Sequence, residues 1–100
     1  MDIQEQLSDK MAKNSNKFES EALDEAWFVL VEYHDLDDLS SIRRHCMKKL
    51  DEMMQEQQDK FSKAAKKCDA DGQLYNHTML NINNKINLYK RAKDILSNLF

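Results

Sequence analysis

Apolar residues recur along this chain at steps of three and four, the spacing of a single helix face, almost from end to end. Ile3, Leu7 and Met11 form a narrow stripe that predicts a small N-terminal helix over 2–13. Asn14-Ser15-Asn16 interrupts it, because these side chains compete for backbone hydrogen bonds. Asn16 is placed to cap the next helix, with Glu19 three residues on in capping-box position. That shorter helix, 17–35, carries Ala22, Ala26, Val29, Leu30 and Tyr33 as its main stripe, with Leu23 and Trp27 at one margin. The acids of Asp35-Leu36-Asp37-Asp38 oppose a helix C-terminus and suit the start of the next helix, where Asp38 or Ser40 can cap.

Two long periodic segments follow. Leu39, Ile42, Cys46, Leu50, Met53, Gln57, Phe61, Ala64 and Cys68 mark one face of a helix over 39–70, which Met47, Met54 and Ala65 widen. Asp69-Ala70-Asp71-Gly72 supplies the stop, Gly72 being the residue that takes a left-handed position freely. Tyr75, Met79, Ile82, Ile86, Tyr89, Lys93, Leu96 and Phe100 then alternate spacings of four and three, a heptad seam on a helix over 73–100. The expected fold is therefore all-α: one helical bundle over 1–100, built on a long antiparallel hairpin of helices 39–70 and 73–100. The 17–35 and 2–13 helices pack against it.

Composition narrows this further. One Gly and no Pro leave little for the turns of a β-sandwich or barrel, or for a glycine-rich phosphate cradle. The longest apolar run, Ala26 to Val31, falls far short of the roughly 20 residues a membrane span needs. The opening Met1-Asp2-Ile3-Gln4-Glu5 has neither the pattern of a secretory signal nor that of a transit peptide. Cys46 and Cys68 fit no redox or zinc spacing, and on one continuous helix they stand about 33 Å apart, too far for a disulfide. Buried reduced thiols in a cytoplasmic protein are the expectation. Twelve Lys against three Arg, with many Asn and Ile, point to an AT-rich genome such as a phage or low-GC bacterium.

The net charge of −3 conceals an asymmetry. Residues 1–41 carry three Lys against eleven acids, whereas residues 42–100 carry twelve Lys and Arg against seven. Either the halves face each other inside the bundle, or an acidic surface is free for a basic partner.

Chemistry-bearing constellations are few. Lys67 to Leu74 has some EF-hand spacing, but Lys67 and Thr78 stand where the ion needs carboxylates, which leaves a helix-to-helix turn. His34, His45 and His77 lack the i+4 partners of a zinc site. No nucleophile, base and orienting group combine, so the chain is expected not to be an enzyme, and neither a cofactor nor a metal is expected.

The expected function is that of a small non-catalytic adaptor, regulator or assembly factor acting through protein contacts. On a helical wheel Phe28 lies opposite the Ala22–Ala26–Leu30 stripe, among Glu21, Asp24, Glu32 and Asp35, with Val31 at the margin. Phe28 is either covered by the first helix through Ile3, Leu7 and Met11, or is the aromatic centre of a contact face for a basic protein surface. A homodimer is expected as well. Helix 17–35 is too short to cover both long helices, and the last helix carries a second apolar row, so Leu88, Ile95, Leu99 and Phe100 are the expected self-association residues.

Two alternatives stand beside this. Arg43, Arg44, Lys48 and Lys49, with Lys60, Lys63, Lys66 and Lys67, give the 39–70 helix two basic ends that could meet nucleic acid. Asp51, Glu52, Glu56 and Asp59 interrupt that track, so nucleic acid is the lesser expectation. The pairs Glu21/Asp24 and Glu32/Asp35 resemble the acidic pairs with which helical nucleotide pyrophosphohydrolases hold Mg²⁺. Those enzymes gather acids from two facing helices, and here both pairs fall on one.

Overall fold

Capping starts three of the four helices seen in the computed structural model, which describes residues 2–70 and 77–100, with side chains over 2–66 and 78–100. The Asp2 side chain accepts the Glu5 amide at 2.8 Å and opens α1, Ile3–Lys13. The Asn16 side chain accepts the Glu19 amide at 2.9 Å and opens α2, Lys17–Tyr33. Asp38 accepts the Ser41 amide at 2.8 Å and opens α3, Leu39–Ala70. The last helix, α4, is His77–Leu99. No strand occurs among the described residues. The expected turn at 71–72 and the start of the last helix at 73–76, including Tyr75, lie outside them, as do the side chains of Lys67, Cys68 and His77.

The architecture is the all-α bundle the periodicity predicts. α3 and α4 pack against each other, α2 packs on both, and α1 lies mainly on α2 with a smaller contact to α4. Buried Ile3 and Leu7 of α1 join Ala22, Leu23, Ala26, Val29 and Leu30 of α2. Ile42, Cys46 and Leu50 of α3 and Ala92, Ile95 and Leu96 of α4 complete the same core. At 1.5 Å per residue, the 32 residues of α3 reach about 48 Å and the 17 of α2 about 25 Å. The hairpin therefore outruns α2, and the molecule is elongated, 53 × 30 × 17 Å. Met79, Ile82 and Ile86 of α4 are buried without belonging to the main core.

Four expectations need correcting. Leu39, placed on the buried stripe, is 62% exposed: α2 has ended by Tyr33, and the stripe begins instead at Ile42. Asp35, placed on the α2 face, lies past the end of that helix and pairs with His34 Nε2 at 3.1 Å. Glu19 does not close a capping box. Its carboxylate goes to Arg91, and the Asn16 amide donates to Asn14 Oδ1 at 3.3 Å instead. Of the apolar row assigned to self-association, one residue is closed off. Ile95 is 4% exposed within the core, and Leu88, Leu99 and Phe100 are half-buried against it. The two apolar sides of α4 are used within one chain, because this helix meets both α3 and α2.

Candidate protein-interaction face

α2 is buried on one side only. Its core stripe runs through Ala22, Ala26, Val29 and Leu30, and the opposite side turns to solvent. In the middle of that free side Phe28 is 69% exposed, the largest exposure among the large apolar side chains described. Val31 is exposed one turn on. α1 does not cover Phe28, because Ile3 and Leu7 are spent in the core and Met11 packs against its edge. Of the two outcomes open for this ring, the structure gives the uncovered one.

Glu21, Asp24 and Glu32 surround Phe28 on the helix at i−7, i−4 and i+4, and all three are exposed. None of them makes an ion pair among the described residues, whereas Glu19, on the opposite side of α2, does. The face is thus an aromatic ring among acids that make no ion pair among the described residues. Asp35, expected beside them, is exposed in the turn beyond α2.

Glu25 borders this face and meets different conditions. It is half-buried, and its carboxyl is held above the usual carboxylate range chiefly by burial, with Asp24 adding to the rise and Lys85 of α4 opposing it. Tyr89, buried on α4, has its hydroxyl pushed up by burial and by the charges of Glu25 and Glu56.

Further apolar exposure extends the region. Phe18, ten residues before Phe28, is also exposed, and it borders a cleft of about 440 Å³ with Glu21, Lys85 and Leu88. Leu36 and Leu39 are exposed at the α2–α3 corner. None of these three was expected. The signal for Phe18 was present, since ten residues turn the helix to within 80° of Phe28. Trp27 lies on the other flank, half-buried, beside a groove of about 530 Å³ that it shares with Glu5 and Asp9 of α1.

The acids of α2 are spread along one helix rather than gathered. No group of three or more His, Cys, Asp or Glu among the described residues is arranged to hold a metal ion. Of the basic residues of α3, Arg43, Arg44, Lys48, Lys60, Lys63 and Lys66 are exposed and Lys49 is half-buried, with exposed Asp51, Glu52, Glu56 and Asp59 between the two groups. Cys46 is fully buried with a free thiol, which burial pushes up to about 11 with Glu32 contributing. No described helix is long and apolar enough to cross a membrane. Against protein-family models, curated proteins and solved structures, the chain finds no match.

Proposed function

We propose that this chain is a non-catalytic protein-binding module, an adaptor, regulator or assembly factor, whose α2 face takes a basic surface of another protein. The observation that carries this reading is Phe28, 69% exposed in mid-helix and ringed by Glu21, Asp24 and Glu32. An exposed aromatic costs solubility and adds nothing to the core, but at the centre of an interface such a side chain supplies much of the binding energy. The unpaired acids around it steer a basic partner and select against acidic ones. Val31 widens the apolar centre, and Asp35, beyond the helix end, adds to the negative field. We place this work in the cytoplasm, in keeping with the free thiol of Cys46.

The test compares proteins retained by the wild-type chain and by Phe28→Ala from an extract of its own cells. A partner retained through a basic surface, released by salt and lost with Phe28→Ala, supports the proposal. The same set of proteins retained by both chains overturns it.

A further inference from the structure

Beyond Gln57 the two long helices run on together, and a cleft of about 390 Å³ opens between them, away from Phe28, with Lys85 shared with the Phe18 cleft. Lys60 and Lys63, three residues apart, stand on the α3 bank. Lys85 stands on the α4 bank. Thr78 and Asn81 offer a hydroxyl and an amide, and Gln57, 7% exposed, offers a second amide. Buried Ile82 gives the cleft an apolar wall.

The lining of this cleft is one-sided in charge, although Lys85 also lies within the field of Glu25 of α2. No carboxylate lines it among the described residues. Lys60 has only a long contact to Glu56, 3.8 Å on its own helix, and both groups are well exposed. Lys63 has no ion pair among the described residues. An anion placed between cations on two banks is attracted by both.

We infer that this cleft binds a small diphosphate-bearing anion. Lysine ammoniums are point charges on flexible stems and suit phosphate oxygens without the planar fork a carboxylate favours. Cations on opposite banks call for a ligand with negative charge at both ends, which one diphosphate supplies. The neutral amides and the hydroxyl then complete its hydrogen bonds, and Ile82 is the seat for an organic part. The volume falls in the range of small-ligand pockets, about 300–1,000 Å³.

Calorimetric titration of the full chain with pyrophosphate, adenosine diphosphate and citrate tests this at low and at physiological salt. Saturable binding of one diphosphate per chain, weakened by salt, is expected. Lys63→Glu combined with Lys85→Glu should weaken it about tenfold or more, while the equal charge change Lys48→Glu with Lys49→Glu leaves it within about threefold. Circular dichroism confirms that both variants remain helical; should the cleft variant unfold, Lys63→Gln with Lys85→Gln makes the same comparison. Tighter binding of the nucleotide than of pyrophosphate further supports Ile82 as the organic seat. No saturable binding of either diphosphate, equal loss in both pairs of variants, or citrate bound as tightly as pyrophosphate overturns the inference. So does a single-stranded oligonucleotide that binds where the small anions do not.

Discussion

Arg91 of α4 grips the carboxylate of Glu19 in the first turn of α2, with Nε at 2.9 and 3.0 Å from its two oxygens and Nη2 at 2.8 Å. The backbone amide of the same Glu19 is held by Asn16 Oδ1. One residue therefore fixes both the start of α2 and its seat on α4. Such pairs are worth about 0.2–1 kcal/mol when exposed, and this one is partly shielded. A double-mutant cycle with Glu19→Gln and Arg91→Gln should return a coupling of about 0.5–1 kcal/mol in chemical denaturation, falling at high salt. A coupling of zero would show that the grip adds geometry and no stability.

Phe28 and Leu50 should separate surface from core. Leu50 is fully buried, so Leu50→Ala should cost about 2–5 kcal/mol. Phe28→Ala should stay within about 0.5 kcal/mol of wild type, as an exposed substitution does. Urea denaturation of both variants measures the contrast, and a large loss from Phe28→Ala would mean that the ring is covered in solution.

Glu25 gives a pH dependence of known sign. Its carboxyl is raised in the folded chain by burial, so its contribution to stability is fully present below the usual carboxylate range and is lost as pH rises through the raised value. Glu25→Gln, which does not ionise, should melt higher than wild type near neutrality. The difference should vanish below the usual carboxylate range, and melting curves across that window check it.

Cys46 titrates at the other end of the scale. The unfolded chain ionises this thiol near its ordinary value, the folded chain only at about 11. Stability is kept below the ordinary value and falls as pH rises between the two. Wild type should lose more stability over that interval than Cys46→Ala does. Under native conditions near neutrality Cys46 should resist thiol reagents. Rapid labelling would place it outside the core.

What the sequence makes legible is what local chemistry decides. Asn16 announces itself as a cap by residue type and position, as do Asp38 and Ser40 for the next helix, and Asn16 and Asp38 cap. The solvent side of α2 follows from counting 100° per residue away from Ala22, Ala26 and Leu30. Relations between distant segments are not readable this way. Glu19 looks like half of a capping box, and its true partner lies 72 residues away. Ile95 and Leu88 read as a spare apolar row, because periodicity tells that a helix has two apolar sides and not which neighbours meet them. Asp35 misses its face because α2 stops two residues early, and a helical wheel has no meaning past the last turn. The Lys60, Lys63 and Lys85 cleft depends on the register of α3 against α4, which no single segment encodes.

The overhang of the long hairpin beyond α2 divides the molecule by how easily its amides meet solvent. Core side chains from Ile3 to Leu50 and from Ala92 to Leu96 form one cluster, so exposing the helical backbone around them means opening the molecule as a whole. Past Gln57, among the described residues, half-buried Phe61 and Ala64 of α3 lie on the stretch of the hairpin that also holds buried Met79 and Ile82 of α4, and α2 borders α4 from Asn84 and Lys85 onward. That end unzips without disturbing Leu30, Leu50 or Leu96. In deuterium exchange the amides of 58–66 and 78–83 form a faster cooperative unit, and the helical amides around Leu30, Leu50 and Leu96 exchange at the global rate. An anion seated between Lys63 and Lys85 crosses from one strand of that zipper to the other, and so slows exchange in this unit alone.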